Sequence, residues 1–302
     1  MKRFQGTVTR PIHFVGVGLH SGKLVNMLVS PQNADTGILF AREGMPGPPI
    51  LACPANVSAT TLCTTIGQAP HSIATIEHLM AAFFGLGIDN ALVTVNSAEI
   101  PILDGSAAPY VDKLNAAGVQ IQPVMKPLLI PPVPFEISEK DQYIRYDPPT
   151  SETNLELKVN CSIDFPSLAI GRQSFAIQFG QEEFLKICEA RTFCHINSVN
   201  LMRSQGLALG GSLDNAVVVD DNHVLNTEGL RFSDEFVRHK LLDFFGDLAL
   251  LPGLLVGNVT LHKAGHCLHA RFAKKVLSLL QNQSTPTTSH KDKNVWTRAA
   301  LG

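Results

Sequence analysis

The stretch from Phe236 to Asp247, FVRHKLLDFFGD, constrains the possible fold of this chain more than any other stretch. In it, apolar residues surround a few polar ones. This pattern predicts an amphipathic helix that packs its apolar side into a core. His239 and Asp243 are four positions apart, so the imidazole and the carboxylate project from the same face of that helix. We therefore expect a globular protein organised around this helix.

The pair formed by His239 and Asp243 has two interpretations. Zn²⁺ accepts a nitrogen and an oxygen ligand, and an open catalytic site adds a third protein ligand and leaves one position for water. For the pair alone, a buried ion pair or a hydrogen-bonded core histidine is the more common outcome. Further candidate ligands in TIEHL at 75–79 and HKAGH at 262–266 favour the metal interpretation.

Composition excludes several functional classes. A chain of 302 residues with 45% apolar residues is long enough for two domains with full cores. The net charge of −2 and 17% charged residues give no basic surface for nucleic acid and no polybasic membrane patch. The six cysteines form no C-x-x-C, and the N-terminus has no apolar signal region. We expect a cytoplasmic protein with reduced cysteines, no bound nucleic acid and no stable membrane insertion.

The order of elements predicts an α+β fold. Strand-like runs occupy residues 4–15, 23–29, 62–66, 90–95, 143–146, 155–163, 174–178, 216–219 and 254–262. Helical patterns occupy residues 75–84, 107–117, 182–189, 236–247 and 268–280. The two halves thus share a rhythm of strands followed by a helix.

A proline-rich connector over residues 122–134 divides the chain. We place a domain boundary near residue 124, which gives an N-terminal α+β domain over 1–124 and a C-terminal α+β domain over 125–280. Residues 281–302 are rich in Ser, Thr, Gln and Asn and are expected to be a disordered polar tail without chemistry.

The helix predicted over 75–84 carries Glu77 and His78 side by side, about 100° apart around its axis. Adjacent positions of this kind suit a metal ligand beside a general base. The zinc-peptidase motif H-E-x-x-H also places a Glu next to a ligand His, but in the opposite order and with a second His that is missing here. A solvated surface pair is the alternative interpretation.

Two loops contain further candidate residues. Three glycines in GVGLHSG at 16–22 place His20 on a tight turn that is able to approach a ligand. Thr192 and Phe193 follow the helix predicted over 182–189. The glycine-rich segment 206–212 lacks both common phosphate-loop patterns, so we interpret it as a turn before the strand over 216–219. The alternative is that its alternating apolar residues line an apolar channel.

Together, these residues make a candidate hydrolytic centre. Two histidines and one aspartate, His78, His239 and Asp243, suit an open zinc site that activates water and polarises a carbonyl. The remaining roles go to four side chains: Glu77 as the base, His266 beside the leaving nitrogen, Thr192 as the oxyanion donor and Asp247 orienting His266.

Six ordered motifs make this chain resemble a known family. They are GVGLHSG at 16–22, TIEHL at 75–79, EIPILDGSA at 99–107, ARTF at 190–193, HKLLD at 239–243 and KAGH at 263–266. Their order and spacing over residues 3 to about 280 closely resemble the UDP-3-O-acyl-N-acetylglucosamine deacetylases of bacterial lipid A biosynthesis.

The resemblance implies roles for individual residues. The positions of His78, His239 and Asp243 bind zinc in that family, that of Glu77 is the general base and that of His266 is the acid or electrostatic stabiliser. The matching positions of Thr192 and Asp247 stabilise the oxyanion and orient the histidine. Substrate contacts are implied for five residues: Lys240, Lys263, Phe193, Leu62 and His20.

The resemblance also implies an architecture of two α+β domains of similar topology, with helices sandwiched between outer β-sheets and a small insert in each domain. The second insert, about residues 193–223 here, would form an apolar passage for the fatty-acyl chain. This chain departs from the family pattern at Cys194-His195 and Asn197-Ser198, where the family often has a small or apolar pair and an acidic residue. His195 has no assigned role.

These observations lead to a hypothesis with defined alternatives. The chain is expected to be a zinc hydrolase, with one Zn²⁺ per chain, that removes acetyl from UDP-3-O-acyl-N-acetylglucosamine and acts as a monomer. Fe²⁺ also fits the ligand set. The alternatives are a non-catalytic protein with a closed structural zinc site, for which Cys267 is the nearest fourth ligand, and a related hydrolase of another acylated sugar.

Overall fold

The computed structural model describes residues 3–151 and 155–281. The strands run over Phe4–Val8 (β1), Ile12–Val17 (β2), Leu24–Pro31 (β3), Ile38–Arg42 (β4), Ile50–Leu51 (β5), Val57–Ala59 (β6), Thr65–Ile66 (β7), Ala91–Val95 (β8), Val119–Met125 (β9), Leu128–Leu129 (β10), Phe135–Glu139 (β11), Gln142–Asp147 (β12), Leu157–Asp164 (β13), Arg172–Gln178 (β14), Phe193–His195 (β15), Val217–Val219 (β16), Leu254–Leu255 (β17) and Gly257–His262 (β18). The helices run over Glu77–Leu86 (α1), Ala108–Ala117 (α2), Gln181–Leu185 (α3), Ile196–Ser204 (α4), Glu235–Leu248 (α5) and His266–Gln281 (α6).

Each half of the chain builds a five-stranded sheet with the same topology. The first sheet has the order β2-β3-β8-β4-β5 and the second the order β11-β12-β18-β13-β14. In both sheets the central strand, β8 or β18, is the last of the five in the chain and pairs antiparallel on one side and parallel on the other. The α+β class and the similar topology of the two halves are confirmed.

The helices α1 and α5 lie in the interior. Every residue of α1 is buried, and α5 is buried along most of its length. The strands alternate between buried and more exposed positions, as in β13, because one face of each sheet covers the core and the other faces outward. Aromatic rings fill the contact between the halves, where Phe84 of α1 stacks on Phe245 of α5 with ring centroids 5.5 Å apart.

A glycine sets how closely the two central helices approach. A Cβ atom built on Gly246 of α5 would lie 2.1 Å from the backbone oxygen of Glu77 in α1. Glycine in the middle of a helix lowers stability by about 1 kcal/mol relative to alanine. Its presence here is explained by this contact, since it lets α5 lie directly against the backbone that carries Glu77 and His78.

The predicted elements agree with the structure in type, with shifts at their ends. The helix predicted over 75–84 begins at Glu77, and the helix predicted over 268–280 begins earlier, at His266. The helix α4 was not predicted, nor were the strands β4, β5, β6, β9, β10, β11 and β15. Most of these strands are too short to show a clear period, and β9 contains a proline of the connector. The boundary near residue 124 and the insert over 193–223 stay predictions, and the tail at 282–302 lies outside the described residues.

Candidate metal centre

The helices α1 and α5 bring three predicted ligands together. His78 comes from the first turn of α1, and His239 and Asp243 lie one turn apart on α5. All three are buried, and their candidate ligand atoms lie within 4.8 Å of one another. The interaction of the two helices therefore gathers two imidazoles and one carboxylate from distant parts of the sequence.

The hydrogen bonds around these residues leave ligand atoms available. His239 donates from Nδ1 to the carbonyl oxygen of Ala190 at 3.0 Å, which leaves its Nε2 atom, 3.4 Å from Oδ1 of Asp243, with a free lone pair. His78 has a buried Nδ1 atom with no hydrogen-bond partner, and its Nε2 atom lies 3.6 Å from the same oxygen. Burial lowers the pKa of His239 to about 3, so this imidazole is neutral, the form that binds metal.

The carboxylate of Asp243 is kept ionised. Burial opposes its ionisation, but the ammonium of Lys240 and the neighbouring His239 hold the pKa of Asp243 well below its usual range. Lys240 contacts Oδ2 at 2.7 Å, whereas Oδ1 faces the two imidazoles. A buried set of two imidazole nitrogens and one carboxylate oxygen fits a divalent metal of the Zn²⁺ type.

Glu77 lies beside this set at the start of α1. The residue is buried, and its Oε2 atom accepts a hydrogen bond from the backbone N–H of Thr64 at 2.9 Å. Burial raises the pKa of Glu77 above its ordinary value. A carboxyl group with a raised pKa beside metal ligands has the basicity that a general base needs.

On the other side of the centre, His266 is held by Asp247. The Nδ1 atom of His266 donates to Oδ2 of Asp247 at 2.7 Å, and its Nε2 atom lies 4.0 Å from Oδ2 of Asp243. Burial opposes protonation, but the carboxylate of Asp247 outweighs it and raises the pKa of His266 to about 9. His266 is therefore protonated at neutral pH, as an acid must be.

The segment that carries Thr192 and Phe193 borders the centre. Thr192 is held by backbone hydrogen bonds to Gly105 and Val217, each 2.8 Å long. The ring of Phe193 lies 6.1 Å from that of His239, and the ammonium of Lys240 lies 5.6 Å from the Phe193 ring centroid. The preceding Arg191 anchors the segment through its buried ion pair with Glu235, in which Nε and Oε1 are 2.9 Å apart.

The other three predicted substrate residues, Lys263, His20 and Leu62, have the following surroundings. Lys263 pairs with Asp141 at 2.7 Å and contacts Asp164 at 3.7 Å. The backbone N–H of His20 donates to Glu99, and the N–H of Leu209 donates to the backbone oxygen of His20 at 3.1 Å. Leu62 is about half exposed and has a left-handed φ of 64°.

Two polar residues near the centre were not predicted. Thr64 contacts Glu77, Asp247 and His266, and His269 donates from Nδ1 to Oδ2 of Asp247 at 2.8 Å. His269 follows His266 by three positions on a helix, so this spacing would have identified it. Thr64 gives no such signal, because only the folding of its loop brings it to the site.

Cys267, the fourth ligand proposed for a closed structural zinc site, does not lie in the buried cluster. Cys267 is exposed, whereas His78, His239 and Asp243 are buried. Among the residues that the structure describes, the groups able to hold a metal are this set and the hydrogen-bonded group of Asp247, His266 and His269, and neither contains a cysteine.

The repeated α+β halves and a buried His₂Asp centre flanked by a carboxyl and an imidazolium define the class as a metal-dependent hydrolase. A family model described as UDP-3-O-acyl N-acetylglycosamine deacetylase (LpxC) matches residues 5–278. The chain belongs to this family.

Similar proteins agree with this assignment. Each of three relatives is named UDP-3-O-acyl-N-acetylglucosamine deacetylase. The protein from Citrifermentans bemidjiense is 43% identical over 91% of this chain and 89% of its own length. That from Syntrophus aciditrophicus is 39% identical over 93% and 89%, and that from Campylobacter fetus is 37% identical over 98% and 99%. Within residues 3–151 and 155–281, every helix is too short or too polar to cross a bilayer.

Proposed function

We propose that the chain hydrolyses the N-acetyl group of UDP-3-O-acyl-N-acetylglucosamine in lipid A biosynthesis and releases acetate. Membership of the family and the names of the relatives support this activity. The observation that carries the mechanism is the convergence of His78, His239 and Asp243, with ligand atoms within 4.8 Å of one another. Zn²⁺ is the proposed cofactor, one ion per chain, and Fe²⁺ is the alternative that the same ligands accept.

His78, His239 and Asp243 would hold the metal. When bound, Zn²⁺ polarises the amide carbonyl and lowers the pKa of water toward ~7. Glu77, in its ionised form, accepts the proton of the water that attacks the acetyl carbon. Thr192 is the proposed hydrogen-bond donor to the oxygen that becomes negative during the attack.

Cleavage requires a proton on the leaving nitrogen. Protonated His266 supplies this proton as the C–N bond breaks, so that the products are acetate and a free 2-amino group. Asp247 supports this step because its hydrogen bond fixes the proton on Nδ1 and leaves Nε2 directed toward Asp243 and the centre. The carboxylate also stabilises the charged imidazolium between turnovers.

Substrate contacts are proposed for residues that border the centre. Lys240 and Lys263 carry positive charge for the diphosphate, and Phe193 offers an aromatic surface beside His239. Leu62 and His20 are also proposed to contact the substrate. The insert over 193–223 exposes apolar side chains, among them Ile196, Leu201, Leu209 and Leu213. An acylated substrate would cover such surface, which supports a passage for the acyl chain.

Further properties are proposed from sequence. The formal charge of −2 offers no surface for nucleic acid. A monomeric, cytoplasmic enzyme that meets its substrate without membrane insertion is consistent with the composition and with cysteines that are all free.

A single assay tests the activity. The purified protein is incubated with UDP-3-O-acyl-N-acetylglucosamine, and acetate is measured before chelation, after chelation and after Zn²⁺ is returned. We expect release, loss and recovery, and a protein that releases no acetate in any state would contradict the proposal. A parallel panel with the 3-O-acyl chain removed, or with another acylated sugar, separates this activity from that of a related hydrolase.

A further inference from the structure

Thr64 contacts both Glu77 on one side of the candidate centre and the pair of Asp247 and His266 on the other. It precedes β7 and is only 1% exposed. Its backbone N–H donates to Oε2 of Glu77 at 2.9 Å, and its backbone oxygen accepts from the N–H of Ile76 at 3.4 Å. Two bonds therefore fasten Thr64 to the start of α1, where the base lies.

The hydroxyl of Thr64 reaches the opposite side. Oγ1 lies 2.5 Å from Oδ1 of Asp247 and 3.2 Å from Nδ1 of His266. An ionised carboxylate only accepts hydrogen bonds, so the hydroxyl of Thr64 donates its one hydrogen bond to Asp247. Its oxygen is then able to accept a share of the N–H that His266 directs mainly at Oδ2 of Asp247.

This geometry divides the two oxygens of Asp247 between different partners. Oδ2 accepts from Nδ1 of both His266 and His269, whereas Oδ1 accepts from Thr64. Without the hydroxyl, the buried Oδ1 atom loses this donor, and only the hydrogen bonds from His266 and His269 to Oδ2 still oppose rotation of the carboxylate about its Cβ–Cγ bond. Rotation would redirect the imidazole of His266, because its N–H follows the oxygen that accepts it.

We propose that Thr64 is a positioning residue for the deacetylation, which sets the distance and orientation of the acid His266 relative to the base Glu77. The inference rests on the proposed function and concerns a residue to which that function assigns no role. The backbone N–H of Thr64 bonds the base Glu77, and its hydroxyl contacts Asp247 and the acid His266. A side-chain substitution therefore removes the contacts of the hydroxyl and keeps the hydrogen bond to Glu77.

The test compares Thr64→Val, which keeps the shape and the backbone N–H, with Thr64→Ser, which keeps the hydroxyl. A buried hydrogen bond to a charged group predicts a fall in kcat of roughly ten- to a hundredfold in the valine variant, with KM and metal content unchanged. The serine variant should recover kcat to within about threefold. Thr65→Val, one position along, is the matched control and should keep the wild-type kcat.

A purely structural role is separated by a double-mutant cycle with His266→Gln. Because the hydroxyl acts through His266, Thr64→Val should slow a His266→Gln enzyme by less than about threefold. An equal loss in both backgrounds, a change in KM alone or no recovery by serine would overturn the inference. Thr64→Ala replaces the valine variant if that variant does not fold, and failure of both to fold would make the hydroxyl a folding determinant and also overturn it.

Wild-type protein and His266→Gln are measured in the same acetate assay. Acetate release by the wild type together with an unaffected Thr64→Val enzyme would remove this inference and leave the proposed function standing. Absence of release by the wild type would contradict both.

Discussion

The Nε2 atom of His78 lies 3.6 Å from Oδ1 of Asp243, although His78 lies in the first turn of α1 in the first half of the chain and Asp243 lies on α5 in the second half. His239 approaches the same oxygen to 3.4 Å from one turn away. Neither distance is a hydrogen bond, and Lys240 holds only the other oxygen. The arrangement leaves Oδ1 and the two imidazoles free to bind one cation.

The first prediction separates metal binding from proton transfer. Asp243→Ala should lose both metal and activity, because two imidazoles alone are a poor site for Zn²⁺. Glu77→Ala should retain the metal and lose turnover, because the Glu77 carboxyl group is near the three ligands but is not one of them. Metal analysis and acetate release on the same samples check this, and a Glu77→Ala enzyme with normal kcat would eliminate the base.

The second prediction concerns pH. Burial raises the pKa of Glu77, which must be ionised, so activity should rise as the pH increases through that raised value. Asp247 outweighs burial and raises the pKa of His266 to about 9; His266 must be protonated, so activity should fall above that pH. We expect a bell-shaped profile of kcat/KM, with the alkaline limb missing in His266→Gln. A wild-type profile that stays flat from about pH 5 to about pH 10 would refute this division of roles.

The third prediction tests the close approach of the two central helices. Gly246→Ala should gain about 1 kcal/mol of helix propensity but lose more, because its Cβ would lie 2.1 Å from the backbone oxygen of Glu77. We expect a net loss of about 2 kcal/mol in the free energy of unfolding and weaker metal binding, as α1 moves away from α5. Gly180→Ala is the control, since nothing lies near its Cβ and its φ is −161°. Equal stability of the two variants in urea would contradict the packing argument.

The fourth prediction concerns the buried ion pair between Arg191 and Glu235, which anchors the segment that carries Thr192. Glu235 is fully buried and receives two bonds from the Arg191 side chain, at 2.9 and 3.2 Å, and one from its backbone N–H. Glu235→Gln leaves the guanidinium without its full partner and should cost about 3 kcal/mol in the free energy of unfolding. Glu183→Gln, which breaks an exposed pair with Lys186, should change it by less than about 0.5 kcal/mol. Urea titrations that give similar values for both variants would refute the role of the buried pair.

Residues whose relationship is local were predictable from sequence. His239 and Asp243 share a helix face by spacing alone, and the adjacency of Glu77 and His78 is visible in the sequence. The central helix and most strands followed from apolar periodicity. The roles assigned to these side chains stay predictions.

Relationships that depend on tertiary packing were not predictable. Thr64 reaches Asp247 only because its loop folds back to α1, next to a left-handed Leu62. The close contact of Gly246 with Glu77 depends on how two distant helices meet. A pattern within one segment does not contain this information.

The central claim is that His78, His239 and Asp243 bind one metal ion and leave a position open for water. Anomalous diffraction at the zinc edge, from crystals of the protein purified with Zn²⁺, tests it most directly. We predict one peak, about 2.0–2.2 Å from a nitrogen of each histidine and an oxygen of Asp243, with a water molecule completing the coordination. A peak elsewhere, or a fourth protein ligand in place of the water, would contradict the claim.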